Sequence, residues 1–268
     1  MPKTKRYDSS PRLESSQRCD LCPVRSLTLY WRGEARHADV IMGLRKGTRT
    51  VRARRFVIRP GESTDEIFSV FSGWGALAKV GAEGRRSIAA FVMASDFVGL
   101  PLFVPRQGTY GVQAISDMEL CVFDRTALAE FFERTSYAVE RLESWLITQL
   151  NQSYSRSEDS GRRSAHERVA HLLLEIYRRQ ERLGLLRNGA LISPLRQRDL
   201  ADALGLTAVH VSRVLTSLKD DGMVEGPLAE LRILDRRRLR AMAGLSADTL
   251  EFPHFQLAGM TDIRPSRR

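Results

Sequence analysis

Among 268 residues there are only three cysteines, Cys19, Cys22 and Cys121. So sparse and odd a set excludes the disulfide framework of a small secreted domain and leaves three roles open for the thiols: metal binding, redox chemistry or none. Long apolar runs are missing as well. No stretch reaches the roughly 18 apolar residues needed to span a bilayer, and the polar start MPKTKRYDSSPRLESS lacks the apolar segment of a secretory signal. The expected location is therefore the cytoplasm, with no membrane partner. Catalytic signatures are also absent: there is no H-E-x-x-H, no G-x-S-x-G, no phosphate loop and no cluster of His, Cys or carboxylates at catalytic spacing. An enzyme is not expected. There are no internal repeats.

Negative charge is in short supply. The chain has 32 acidic against 42 basic residues, a formal net charge of +10, which favours a polyanionic partner. Residues 161–268 carry 19 Lys and Arg against 13 Asp and Glu, residues 1–160 carry 23 against 19, so the shorter C-terminal part is the more basic. A hydrophobic content of 43% over this length is enough for two domains with real cores.

From about residue 40 to 125 the chain reads as short strands broken by turns, with glycines at 61, 73, 75, 81, 84, 99, 108 and 111 between apolar and β-branched runs. GAEG between two such runs is a hairpin turn, and the whole predicts a small all-β sandwich or barrel. After Asp124 the period becomes helical. RTALAEFFERTS predicts a short amphipathic helix, and YAVERLESWLITQLNQSYS repeats apolar residues at Val139, Leu142, Leu146 and Leu150. That face is either a dimer seam, with Gln149 and Ser153 as polar interruptions, or the side packed on the chain's own barrel. SRSEDSGRRS, residues 155–164, reads as a hinge. AHERVAHLLLEIYRRQERLG then predicts a strong amphipathic helix.

The most informative segment is QRDLADALGLTAVHVSRVLTSLKDDGMVEG. A first helix at about 197–204 buries Leu200, Ala203 and Leu204, Gly205 makes the turn, and Thr207 caps a second helix that Gly222 stops. Val211, Val214, Leu215 and Leu218 fall on its apolar face. Thr207, Ala208, Val209, His210, Ser212, Arg213 and Thr216 make up the outward surface toward the N-terminal half. Such a surface fits a DNA major groove, where Arg213 can bond a guanine bidentately and small apolar groups can meet a thymine methyl. His210 and Ser212 suit phosphate or base-edge contacts. MVEG and LRILD pair around PLAE as a wing, with RRRLR at 236–240 behind it. The plainer alternative is a packing unit that Arg213 merely solvates, but turn, caps, exposed small residues and wing agree on the helix-turn-helix.

With a β-roll, a long helix and a hinge before it, LADALGLTAVHVSRVL resembles the Crp-Fnr superfamily of bacterial transcription regulators, over roughly residues 18–243. The resemblance implies an α+β fold: an N-terminal β-roll of the cyclic-nucleotide-binding-like jelly-roll kind, a long dimerisation helix and a C-terminal winged helix-turn-helix. It also implies a homodimer on double-stranded DNA with a two-fold symmetric site, and RNA polymerase as a further partner. The divisions read are 1–30 (a Cys-bearing segment), 31–125 (the roll), 126–160 (helical), 161–243 (DNA-binding) and 244–268 (a tail).

Several positions depart from the family pattern. Arg196 stands at the usual Thr or Ser helix cap, Ser95 stands where a Gly precedes Asp96, and Val209 replaces a Glu that many members use to read cytosine. GLPLFVPRQGTYGVQA lacks the Glu of cyclic-nucleotide binders, and Arg106 is followed by Gln and Gly, which speaks against a cyclic nucleotide. His37 is a lone candidate haem ligand. The cysteines instead resemble the oxygen-sensing branch, whose N-terminal cysteines and one roll cysteine hold a [4Fe-4S] cluster. Cys19, Cys22 and Cys121 match three of its positions; the remaining one falls near Thr28, so Asp20, His37, Asp39 or a small molecule would complete the set. A thiol switch, a metal-free or small-molecule-responsive regulator, and a non-specific DNA coater remain the alternatives.

Overall fold

The computed structural model describes residues 43–245 apart from 82, 100–108, 137, 141, 144, 145, 148, 151, 152 and 155–162. Eight strands come first: β1 Arg45–Val51, β2 Phe56–Ile58, β3 Glu66–Ser72, β4 Gly75–Val80, β5 Arg86–Val92, β6 Phe97–Val98, β7 Gly111–Ala114 and β8 Met118–Asp124. They form two antiparallel four-stranded sheets, β1-β8-β3-β6 and β2-β7-β4-β5, the all-β unit expected from the short apolar runs and the roll implied by the family resemblance. In β8 the period of two sends Met118, Leu120 and Val122 into the core between the sheets, with Phe68 and Val70. Cys121 falls on the opposite face. At Ser95 the left-handed conformation is kept without glycine (φ 75°), held by the Ser95 N–H donating to the Val70 carbonyl at 3.0 Å.

Helix α1, Arg125–Glu133, begins where the Asp124 carboxylate accepts from the N–H groups of Thr126 and Ala127. The Lys46 ammonium, 2.6 Å from the same carboxylate, is the main reason its pKa lies below the ordinary value. Leu128 and Phe132 of α1 pack on Ile67, Phe97 and Phe123 of the roll. The described residues within 136–154 are helical and make up α2.

The C-terminal unit starts with α3, Ala165–Arg182, whose Ser164 and Glu167 form a reciprocal capping box. It continues through β9 Ala190–Ile192, α4 Gln197–Leu204, α5 Ala208–Asp220, β10 Val224–Glu225, β11 Glu230–Ile233 and α6 Arg236–Met242. The predicted wing is present as β10 and β11, but β9 joins them in a three-stranded sheet of order β10-β11-β9. RRRLR, behind the wing, opens α6, capped by the Asp235 carboxylate.

The two units share one hydrophobic core. Trp74, Ala76, Ala78, Ile88, Phe91 and Met93 of the roll cluster with Leu172, Leu173 and Ile176 of α3, Leu200 of α4 and Val211 and Leu215 of α5. Polar contacts reinforce the join. The Arg86 guanidinium on β5 donates to Asp199 and, at 2.7 Å, to Asp202, both on α4. Arg179 on α3 donates to the Asp96 carboxylate and to the Phe91 carbonyl (3.0 Å).

Candidate nucleic-acid interface

Helices α4 and α5 are joined by Gly205, which takes the left-handed φ of 64° that only glycine adopts without strain, so the Leu206 N–H can close the turn on the Ala201 carbonyl at 3.0 Å. Within α4 the buried residues are Asp199, Leu200 and Ala201; Ala203 and Leu204, expected in the core, are only partly buried. Arg196 does not cap α4 with its side chain. Instead Asp199, three residues on, accepts from the Arg196 N–H at 2.9 Å, which keeps the turn that a Thr or Ser would otherwise secure.

On α5 the apolar face is buried as its period implies, and the outward surface differs from expectation only at Ser212. Val211, Val214, Leu215 and Leu218 are buried, and the Thr207 hydroxyl caps the helix by accepting from the His210 N–H at 3.2 Å. Thr207, Ala208, Val209, His210, Arg213 and Thr216 are exposed, Ser212 half-buried. Val209 is the most open of the large apolar side chains among the described residues, at 63%. Arg213 makes no ion pair among the described residues, so its five donors face outward unspent. It borders a shallow depression with Ser212, Thr216, Ser217, Asp220 and Asp221. Asp220 and Asp221 set negative charge at the C-terminal end of the helix beside Lys219, whereas the N-terminal half carries no carboxylate.

The expected dimer residues divide. Leu142 is buried in the chain's own core with Phe132 and Ala138, so this part of α2 packs on the roll. Val139, Leu146 and Leu150 are about half exposed, and Gln149 is half-buried. Ile147 and Tyr154, not singled out in the sequence, are exposed beside them.

Cys121 is half-buried on β8, packed against the cluster that contains Ile67, Phe97, Phe123 and Phe132, with an Arg45 guanidinium nitrogen 3.9 Å from its Sγ. Cys19, Cys22, Asp20, Thr28, His37, Asp39 and Arg106 lie outside the described residues. Among the described residues no three His, Cys, Asp or Glu side chains converge as a metal site. No described helix is long and apolar enough to cross a membrane. Arg86, Asp199 and Asp202, which join the units, were not legible in the sequence as a set.

Comparison with known proteins agrees with this geometry. Residues 48–135 match the family model of the cyclic nucleotide-binding domain, and residues 167–242 that of the Crp-like helix-turn-helix domain. The chain is 32% identical over 237 residues to the transcriptional activator protein FnrL of Cereibacter sphaeroides, covering 86% of this chain and 94% of that one. It is 31% identical over 182 residues to the nitrogen fixation regulation protein FixK of Bradyrhizobium diazoefficiens, covering 67% and 75%. The solved structure of FixK2 from Bradyrhizobium japonicum superimposes with a TM-score of 0.68 at 27% identity, over 75% of this chain and 98% of that one.

Proposed function

We propose, for a chain that belongs to the Crp-Fnr family of DNA-binding transcription regulators, that it reads a two-fold symmetric operator as a homodimer, with Arg213 as the principal base reader. The observation that carries this reading is the exposed N-terminal half of α5, where Arg213 stands without an ion pair among small side chains. Thr207, His210, Ser212 and Thr216 position the helix on phosphates and base edges; Ala208 and Val209 offer apolar contact to a thymine methyl. RNA polymerase is the partner on which the bound regulator acts, and the cytoplasm is where it works.

The test uses duplexes selected by the full chain from a random pool. Arg213→Ala should cost about 1–3 kcal/mol on the selected site and relax preference at one position of each half-site. An equal loss on selected and random duplex, measured by competition, would make Arg213 a phosphate contact and overturn the assignment.

For the signal, we propose an iron-sulfur site held by Cys19, Cys22 and Cys121. Its support is the half-buried Cys121 thiol, on the face of β8 that does not enter the core between the sheets, with an Arg45 guanidinium nitrogen 3.9 Å from its Sγ. Such a cluster supplies oxygen-sensitive redox chemistry when bound. The chain's own part is to bring deprotonated thiolates together on folding.

A further inference from the structure

Where β5, α3 and α4 meet there is a cavity of about 30 Å³, lined by Arg168, His171 and Glu175 of α3, by Ala203 and Leu204 at the end of α4, and by residues 88–91 of β5. Strand β5 carries a β-bulge there. Leu77 pairs with Ala90 and Ala78 with Ile88, which leaves Ala89, in the cavity wall, as the extra residue of the ladder.

The polar groups of that wall are unequally served. His171 and Glu175 are buried, and each has a partner within the chain. Arg168 has one polar contact among the described residues: its Nη1 donates to the Leu204 carbonyl at 2.9 Å, at the C-terminal end of α4 just before the Gly205 turn. Its Nε is buried and has no hydrogen-bond partner. Nε and Nη2 form the edge by which a guanidinium grips a carboxylate, or another planar oxyanion, through two parallel bonds. No group among the described residues serves that edge. Glu175 does not neutralise it: it stands seven residues further along α3, about 10 Å of helical rise away, and makes no ion pair with Arg168. A buried donor on a cation left without an acceptor is costly, and native chains retain few of them.

We propose that this cavity binds one small planar oxyanion, of the class of formate, bicarbonate, nitrite and nitrate, and that the anion is an effector of DNA binding. The volume sets the size of the occupant. It has room for about two waters, which excludes a nucleotide and admits an anion of about three or four heavy atoms. The rest of the wall includes Ile88, Phe91 and Leu172, apolar surroundings in which charge-assisted hydrogen bonds gain strength. The anion accepts from Nε and Nη2 while Nη1 keeps the Leu204 carbonyl, so one guanidinium ties the occupant to the last turn of α4. That turn leads through Gly205 into α5. The binding stands on the cavity and Arg168 alone; the effect on DNA rests on the DNA-reading assignment above, and requires that the anion bind the free and DNA-bound states unequally.

The experiment titrates the full chain with sodium formate, bicarbonate, nitrite and nitrate in turn, against sodium chloride at equal ionic strength. The anion that fits should raise the melting temperature by roughly 5–10 °C at about a hundredfold excess over its Kd, and the order of the four identifies the source. Arg168→Lys keeps a cation and a donor for the Leu204 carbonyl but loses the two-pronged edge, so these anions should move it no further than chloride does. Ala203→Val fills the cavity from α4 with the guanidinium intact and should lose the response as well. Sulfate strengthens burial in any protein, so it should raise the wild type and both variants alike. With the fitting anion present, wild-type affinity for the operator it selects should change by about fivefold or more, and that of Arg168→Lys should not. No response beyond chloride from any of the four would leave the cavity to water and overturn the proposal. So would an equal response from either variant, which would put the anion elsewhere. A bound anion that leaves operator affinity unchanged would overturn the effector role. A wild type without sequence preference would remove the DNA-reading assignment and the effector role with it, while the melting shifts still decide the site.

Discussion

Cys121 shows how far one side chain can be interpreted. Strand β8 needs large apolar groups at Met118, Leu120 and Val122 because they fill the space between the sheets, whereas Cys121 lies on the other face, half-buried against the cluster of Ile67, Phe97, Phe123, Leu128 and Phe132. A thiol suits such packing as a small apolar group as well as it suits a ligand. The Arg45 guanidinium stands 3.9 Å from its Sγ, and a thiolate is the form that ligates iron or zinc. A cluster shared by three thiols would make each of them indispensable. Cys19→Ser, Cys22→Ser and Cys121→Ser should each abolish iron uptake on anaerobic reconstitution, and air should bleach the wild type and weaken its operator binding. Zinc in place of iron would keep the site and remove oxygen sensing. A wild-type chain that stays colourless and metal-free, and binds DNA equally with and without air, would leave the thiols inert.

At the scale of elements, α2 combines both readings of its sequence. Leu142 is spent on the roll, while Val139, Leu146 and Leu150, with Ile147 and Tyr154, leave an apolar face about half exposed. A second copy of the helix is the occupant that the regulator reading requires, since two half-sites must be engaged together. Leu146→Glu would place a charge in that seam and should give a monomer by sedimentation, with operator affinity lost while the fold persists, because Leu146 is 50% exposed within the chain. A mutant that remains dimeric would move the interface elsewhere. The same elements show what was legible beforehand. Helices α4 and α5 could be read to within a residue because their signals are local: a glycine turn, a threonine cap and a 3.6-residue apolar period. Strand β9 could not, since three residues of ALI carry no period and become a strand only by pairing with β11. Arg86 read as part of a hairpin, yet its partners lie more than 110 residues away. No spacing rule reaches that far.

For the whole molecule, the consequence of that distant contact is mechanical. A core that continues from β4 and β5 into α3, α4 and α5 makes the roll and the DNA-binding unit a single cooperative body, and Arg86 sits at the polar edge of the join. The side chain of Asp199 is only 8% exposed, while that of Asp202, at 25%, can recover water. Removing the cation therefore strands chiefly Asp199. Burial disfavours the Arg86 charge, but the hydrogen bonds it donates to Asp202 and Asp199 outweigh it and hold its pKa above the ordinary arginine value, so no accessible pH dissolves the contact by deprotonating Arg86. Substitution is the way to test it. Arg86→Ala should destabilise the one cooperative transition by about 1–3 kcal/mol, the range for a charged group left without its partner at partial burial. Adding Asp199→Asn should recover part of that loss, whereas Asp202→Asn should recover little, a difference that a double-mutant cycle by chemical denaturation resolves. Because the contact lies on α4 and away from the exposed side chains of α5, the bases preferred by Arg86→Ala should match those of the wild type. Two separate transitions in wild-type calorimetry, or a changed base preference in the variant, would show that the units do not act as one body or that Arg86 helps set the reading helix.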